Sequence, residues 1–257
     1  MSLSKARARL ITRLHRRKAR EREGAYLAEG VRCVNEVVAA GADVRFAVVG
    51  PRLLLTDDGA ALQAELGRRD IEVAEVNDSE LADLAATESP QGVLAVVRQP
   101  QSVVTNPRRA VIADAIQDPG NLGTLIRSAA AFGLDALFAL DGCVDPYNPR
   151  VVRSSAGTVA RVAVQTCDWP RAQEIIAAAD LPLLAAAGDG SVGIRPAPES
   201  WALAVGNEAR GVRPEILAAA AATVAIPMAA DVDSLNAGVA GSILMFAVTQ
   251  GDLDDEE

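Results

Sequence analysis

The sequence predicts two successive α/β domains, and three observations carry the prediction. Short apolar runs alternate with stretches of helical apolar spacing along most of the chain. Half of the 257 residues are hydrophobic, enough to fill two cores. The stretch Gln99 to Arg109, QPQSVVTNPRR, has two prolines, polar residues and no periodicity, and reads as a linker. The expected domains are 1–105 and 106–257.

The amino end is basic. Residues 1–23 carry nine Lys/Arg against Glu21 and Glu23, a net of +7 that leaves −16 for the rest of a chain whose total is −9. Such a stretch neutralises phosphates irrespective of base sequence, which suits RNA or DNA. A solvated charged helix is the alternative. His15, the only histidine, sits in this run and is expected to be exposed, which removes His-dependent triads and His–metal sites. Ala25 to Gly30 then reads as a short strand with a glycine exit, and Val31 to Ala40 as a helix ended by Gly41. Strands at Val44 to Val49, Ile71 to Val76 and Gly92 to Arg98 alternate with helices at Gly59 to Arg69 and Ser79 to Ala86, the latter capped by Asn77 or Asp78.

In the second half, Ala110 to Ile116 is an apolar strand suited to burial on both faces. The loop Gln117 to Gly123 leads into a helix from Thr124 to Phe132. Arg127 lies near its start among small and apolar neighbours, placed either to reach toward the strand ends or to form a structural ion pair. Next come a strand (Ala136 to Leu140), a loop with Pro146 and Pro149, the small-residue segment Arg153 to Gly157, a strand near Val162 to Gln165 and a helix from Pro170 to Ala179. Leu181 to Ala187 is a further strand. Gly188-Asp189-Gly190-Ser191-Val192-Gly193 after it matches GxGxxG, but Ile194-Arg195-Pro196-Ala197-Pro198 cannot open the helix a pyrophosphate needs, so the stretch reads as a turn.

Trp201 to Val205 is a buried strand ending at Gly206-Asn207-Glu208, where glycine permits close ligand approach and a carboxylate stands at a strand end. Pro214 fits the first turn of a helix from Arg213 to Ala222. The strand Thr223 to Ile226 stops at Pro227. Ser234-Leu235-Asn236 then stand where open α/β sheets hold ligands. Ser234 serves equally well as a helix N-cap with Asn236 in the first turn. Ala237, Gly238, Ala240, Gly241 and Ser242 open the last helix, and their small size lets it lie close against another segment. The acidic tail, Asp252 to Glu257, is expected to be disordered.

Several classes are excluded. No run of about 18 apolar residues appears, and the first twenty residues are basic throughout, so neither a membrane span nor a secretory signal is expected and the compartment is the cytoplasm. Cys33, Cys143 and Cys167 are odd in number and lack ligand spacing, which argues for small core residues rather than disulfides or zinc. No metal site is expected.

Three segments now stand in order: Asn121-x-Gly123-x-x-x-Arg127-x-Ala129-x-x-Phe132-Gly133, then Gly206-Asn207-Glu208-x-x-Gly211, then Ile226-Pro227-Met228 with Ser234-Leu235-Asn236. Together they resemble the three motifs of the SpoU (TrmH-like) branch of the SPOUT methyltransferases, which transfer a methyl group from S-adenosylmethionine to a ribose 2′-hydroxyl in RNA. The amino-terminal domain resembles the substrate-binding domain often attached to that family. The resemblance implies a carboxyl-terminal parallel sheet with a deep trefoil knot, preceded by a small α/β RNA-binding domain, in a homodimer whose site is completed near the interface. It implies a cofactor held by Val205, Gly206, Ile226, Met228, Leu235 and Asn236, largely through backbone. It gives Arg127 the role of activating the hydroxyl, with Asn121, Glu208, Ser234 and Asn236 positioning RNA and cofactor. Arginine stays protonated, so we read Arg127 as a cation that orients the ribose or a phosphate and stabilises developing alkoxide. Arg13, Arg16, Arg17, Lys18, Arg20 and Arg153 are the expected RNA contacts. The expected activity is RNA 2′-O-methylation, on ribosomal RNA or tRNA. A noncatalytic RNA- or ribosome-binding protein retaining the fold is the alternative, against which the intact Asn121, Arg127, Glu208 and Asn236 argue.

Overall fold

The computed structural model describes residues 2–87, 89–101, 103–192, 199–229 and 234–249. Along the chain run α1 (Lys5–Leu14), α2 (Arg17–Glu23), β1 (Ala25–Glu29), α3 (Val31–Ala39), β2 (Val44–Val49), α4 (Asp57–Arg68), β3 (Val73–Glu75), α5 (Asp78–Leu84), β4 (Val93–Arg98) and β5 (Arg109–Asp114). There follow α6 (Pro119–Ala131), β6 (Ala136–Leu140), α7 (Pro149–Ser154), β7 (Ala163–Cys167), α8 (Trp169–Ala178), β8 (Leu183–Val192), β9 (Trp201–Gly206), α9 (Pro214–Ala219), β10 (Ala222–Ala225) and α10 (Ala237–Thr249). None of the described helices is long and apolar enough to cross a membrane.

Three elements depart from expectation. The helix α6 starts at Pro119, not Thr124, because the Asp118 side chain accepts from Asn121 N at 2.9 Å and Pro119 fits the first turn; Asn121 and Gly123 are therefore helical and Arg127 lies in the third turn. The strand β8 runs on to Val192, so the stretch expected as a turn from Gly188 is strand, held by the parallel partner β10 at Val224↔Ser191 and Ala225↔Val192. The loop expected around Pro149 is the helix α7, N-capped by Asn148, which accepts from Arg150 N at 2.9 Å. Gly193 to Pro198 and the acidic tail lie outside the described residues.

The chain divides into two compact units, Met1–Gln101 with Tyr147–Arg161, and Ser102–Pro146 with Val162–Glu257. The segment 147–161, which the sequence places in the second domain, packs with the first. The Tyr147 ring meets Tyr26 of β1 at 5.0 Å between centroids, and Arg161 pairs with Glu36 of α3. Gly157, at φ 88°, lies so close to α3 that a Cβ there would stand 2.5 Å from the Cys33 carbonyl oxygen.

In the first unit the basic amino end is two helices broken at His15 and Arg16. Leu10, Ile11 and Leu14 of α1 are buried with Leu27, Val48, Leu81, Leu94 and Val96 in one core, so α1 is part of the fold and not a free arm. Burying one such aliphatic side chain contributes roughly 1.5–3 kcal/mol. His15, expected to be exposed, is half-buried with Nε2 2.9 Å from the Leu84 carbonyl oxygen. The sheet order is β1-β4-β2-β3, with β4 antiparallel to both neighbours and β3 parallel to β2. Val93 to Val97 are all buried, as a central strand covered on both faces requires. Asn77 is the α5 cap, closing a capping box with Glu80.

The second unit is a six-stranded, wholly parallel sheet of order β10-β8-β9-β5-β6-β7. Ala110, Ile112, Phe138 and Ala204 pack with Trp169 and Ile176 of α8 and Ile216 of α9. Alternate residues, Val205 among them, face the opposite side, where α6 and α10 lie together. From β5 the chain proceeds to β6 and β7 on one side, and from β9 to β10 on the other. Ligands in open α/β sheets bind where the chain diverges in this way, beyond the carboxyl ends of the strands. Here that point is the paired ends Asp114↔Gly206 of β5 and β9.

Candidate active site

A cleft of about 260 Å³ opens at this divergence, formed by the middle of β8, the ends of β9 and β10 and the start of α10. Val205, Gly206, Ile226, Met228, Ser234 and Leu235 line it, together with Glu208. Asn236 does not line the cleft. Gly206 is required by close approach: a Cβ there would stand 2.1 Å from Gly211 C and Val212 N, so the chain turns back on itself as it leaves β9. Asn207 holds that return, its Oδ1 accepting from Ala209 N and its Nδ2 donating to Ala115 O, each at 3.0 Å. Ala115 itself sits at φ 54°, a left-handed conformation that costs a non-glycine residue about 1–2 kcal/mol. Beside it Asp114, 2% exposed, accepts from Arg213 N at 2.8 Å and Arg213 Nε at 2.7 Å. That carboxylate raises the Arg213 guanidinium above its ordinary pKa. Sequence reasoning misses both Asp114 and Arg213; the available signal is an aspartate ending an otherwise apolar strand.

Three residues from three distant segments meet at the cleft's rim. Asn236 Nδ2 donates to Asn121 Oδ1 at 2.7 Å, and Asn121 Nδ2 donates to Glu208 Oε1. The direction of this chain is dictated by its ends. A carboxylate only accepts, so the Asn121 amide must turn its NH₂ toward Glu208 and its oxygen toward Asn236, which then must donate. The oxygen left on Asn236 accepts from Val239 N at 3.1 Å, which makes Asn236 the N-cap of α10. Ser234 does not fill the cap position; it is exposed, two residues before it. Asn121 is 7% exposed, so its two side-chain bonds are made largely out of water.

The small residues of α10 set this geometry. A Cβ on Gly238 would stand 3.1 Å from Asn121 Cα, and one on Gly241 would stand 2.3 Å from Leu125 Cδ2 and 3.1 Å from Val205 Cγ2. Ser128 and Ser242 bond across the same helix pair at 2.6 Å. Arg127 lies six residues beyond Asn121 on α6, about 9 Å along the axis. It is exposed, with neither an ion pair nor a hydrogen bond to any described residue, and it is not brought into the Asn121–Glu208–Asn236 chain. A structural ion pair for Arg127 is thus absent among the described residues.

The expected RNA contacts divide. Arg20 is corrected: it is 2% exposed and donates from Nη1 to Leu14 O at 2.8 Å, tying α2 to the end of α1 where RNA cannot reach it. Arg13 pairs with Glu23 at 3.3 Å and Arg17 with Glu21 at 2.8 Å. Arg16, Lys18 and Arg153 are exposed. Of the cysteines, Cys33 is buried, while Cys143 and Cys167 are only half-buried.

Comparison with known proteins matches residues 108–246 to the SpoU rRNA Methylase family and residues 5–95 to the MRM3-like substrate binding domain. The chain is 30% identical over 236 residues to the 23S rRNA (guanosine(2553)-2′-O)-methyltransferase RlmP of Bacillus subtilis, covering 91% of this chain and 92% of that one. It is 30% identical to the 23S rRNA (uridine(2479)-2′-O)-methyltransferase of Streptomyces viridochromogenes, covering 91% of this chain and 85% of that one. The crystal structure of the AdoMet-bound rRNA methyltransferase from Sinorhizobium meliloti superposes with a TM-score of 0.83 at 27% identity, covering 97% of this chain and 96% of that one. The match to the methylase profile spans more than half of the chain and includes the cleft and the Asn121–Glu208–Asn236 chain: this protein belongs to the SpoU rRNA methylase family.

Proposed function

We propose that this protein transfers a methyl group from S-adenosylmethionine to a ribose 2′-hydroxyl of ribosomal RNA. The observation that carries the reading is the directed hydrogen-bond chain from Asn236 through Asn121 to Glu208, which gathers three separate segments at the mouth of one cleft. The cleft fits the cofactor chemically. Its walls are mostly apolar, among the described residues its lining carboxylate is Glu208, and at Gly206 the backbone is close enough to supply contacts directly. Val205, Gly206, Ile226, Met228 and Leu235 would hold the cofactor there, with Asn236 fixing the start of α10 beside them. When bound, the cofactor supplies an electrophilic methyl group on a sulfonium, already a good leaving group.

The chain must then orient a weak nucleophile and carry developing negative charge. Arg127 is the cation for that role, since no described carboxylate competes for its guanidinium. Asn121 and Glu208 hold the rim rigid, and Ser234 offers a hydroxyl to the RNA or cofactor. Relatives named for guanosine 2553 and uridine 2479 share the 2′-hydroxyl but not the base, which favours ribosomal RNA and a ribose target.

The first unit binds the RNA, and the protein works in the cytoplasm as a homodimer. The exposed stripe Val239, Ile243 and Phe246 on α10, 44%, 41% and 48% exposed at helical spacing, supports dimerisation. The tight lodging of Gly238 and Gly241 against α6 and β9 supports a threaded, knotted carboxyl-terminal helix. The test is mass-spectrometric mapping of 2′-O-methyl groups in ribosomal RNA from cells with and without the gene. One ribosomal 2′-O-methyl group should vanish and return on complementation with the wild-type chain but not with Arg127→Ala. Identical maps would overturn the proposal.

A further inference from the structure

Not all of the positive charge available to an anion in the first unit lies in the basic amino end, where Lys5, Arg9, Arg16 and Lys18 are exposed. Arg7 pairs there with Glu72, Arg13 with Glu23, Arg17 with Glu21, and Arg20 is buried. Four arginines far apart in sequence gather elsewhere. Arg32, Arg52, Arg150 and Arg153 are exposed, and no guanidinium among them has an ion pair or hydrogen bond to any described residue.

These four line two adjoining cavities of the first unit. The larger, about 830 Å³, is walled by Arg32, Arg150 and Arg153; the second, about 780 Å³, by Arg32 and Arg52; Arg32, Ser89 and Gln91 belong to both, so the two form one groove. The segment 147–161 supplies two of the arginines. Arg150 and Arg153 are three apart on α7 and so share a face. The described carboxylate of the larger cavity, Glu29, is 9% exposed and already accepts from Ala86 N at 2.8 Å and from Thr87 Oγ1. Asp58, in the first turn of α4, is the carboxylate of the second. The amino end of α3 adds its dipole to the same wall, with Gln91 Oε1 accepting from Val31 N there at 3.0 Å.

We propose that this groove binds the sugar–phosphate backbone of an unpaired stretch of the RNA substrate, with a nucleotide seated in the larger cavity. The inference rests on the reading of the chain as an RNA methyltransferase. Guanidinium forks match carboxylate and phosphate oxygens alike, but four of them spread along one groove fit the repeated charges of a phosphate chain better than a single carboxylate ligand. Concavity favours a single strand, whose splayed nucleotides enter cavities, over a duplex, which is read by its shape and grooves. The Gln91 amide nitrogen, whose companion oxygen accepts from Val31 N, and Ser89 provide polar contacts within the groove for a ribose or base.

The test is fluorescence anisotropy on the full chain with a labelled uridine dodecamer and a blunt twelve-base-pair RNA duplex, over a range of salt. The variant is Arg32→Gln/Arg150→Gln/Arg153→Gln, and the control is Arg171→Gln on α8. Each lost single-strand phosphate contact lowers the slope of log affinity against log salt by about 0.7, so the triple variant should lose about 2 from the slope and roughly a hundredfold in affinity at 0.1 M salt. The control should keep the wild-type slope. Melting temperature and calorimetric S-adenosylmethionine binding should be unchanged in both. An unchanged slope in the triple variant, or an equal loss for duplex and single strand, would overturn the assignment. If wild-type protein methylates no RNA yet the groove variant loses single-strand binding, the functional reading falls and the groove stands.

Discussion

Asn236 can be tested against the simpler role of helix cap by a substitution that preserves the cap and reverses one hydrogen bond. Asn236→Asp keeps an acceptor for Val239 N, and aspartate caps as well as asparagine. It removes the side-chain donor to Asn121 Oδ1. If Asn121 flips to donate to the new carboxylate, its oxygen faces Glu208 instead, so the conflict moves without disappearing. An unsatisfied group on a residue only 7% exposed costs about 1–3 kcal/mol. Two carboxylates flanking one amide add repulsion. A net loss of about 2 kcal/mol lowers the melting temperature by roughly 4–8 °C for a chain of about this size. Glu208→Gln alone should cost little, because its amide oxygen can still accept from Asn121. The double variant Asn236→Asp/Glu208→Gln should recover much of the loss. The glutamine introduced at position 208 can donate to Asn121, and Asn121 can donate to the carboxylate introduced at position 236, running the chain backwards. Thermal melts of the wild type, both single variants and the double variant form the cycle. If Asn236→Asp melts at or above the wild-type temperature, or the double variant is no better than Asn236→Asp, then Asn236 is a cap and nothing more.

Arg127→Ala should melt as the wild type and bind S-adenosylmethionine normally, while single-turnover methyl transfer falls by two to three orders of magnitude, about 3–4 kcal/mol; Arg127→Lys should recover little, and a near-normal rate in Arg127→Ala removes the residue from the mechanism. Gly241→Val should destabilise by about 1–3 kcal/mol through overpacking against Leu125 and Val205, whereas Gly67→Ala in α4, where a Cβ meets nothing within 4 Å, should stabilise by up to about 1 kcal/mol; equal melts for the two would refute the close α6–α10 contact. Burial pushes the Cys33 thiol up to about 12 and the Cys143 and Cys167 thiols up to about 11. The thiolate is the reactive form, so iodoacetamide labelling of the native protein at pH 8 should be slow at all three and should accelerate as pH rises toward 11; rapid labelling at pH 8 would contradict the burial.

The alternation of strand and helix is legible because both periodicities are strong in this chain, and β5, β6 and β9 fall within one or two residues of their expected spans. What fails is structure imposed from a distance. The extension of β8 through Gly188 and Gly190 has no periodicity of its own and exists because β10 pairs with it. The return of 147–161 to the first unit depends on Tyr147 meeting Tyr26 and on Gly157 meeting the Cys33 carbonyl, contacts that local sequence does not encode. The start of α6 is different: Asp118-Pro119 is a helix opening in plain view, obscured by the glycines after it. Charge counting misleads for a physical reason. A net of +7 over residues 1–23 says nothing about which side chains are already paired or buried, and Arg17 with Glu21, four apart, is the one pairing the sequence could show. Asn121, Glu208 and Asn236 are legible as site residues by resemblance, but the direction of their hydrogen bonds requires coordinates.

The stripe of small residues on α10 and the polar chain at the cleft are one device. Asn236 caps α10, and Asn121 sits in the first turn of α6, so the distance between their amides is the distance between two helix starts. Gly238 lies against Asn121 itself and Gly241 against Leu125 and Val205, which leaves the helices no room to shift without a clash. A 2.7 Å hydrogen bond tolerates only a few tenths of an ångström of displacement before it weakens. Close helix packing therefore holds the amides in register, and Glu208, at the end of β9, is held to the same frame through Asn121. It follows that Gly238, which does not line the cleft, helps set the site's geometry, because a side chain there would press on the Asn121 backbone and so on the residue that holds Glu208 and Asn236 together.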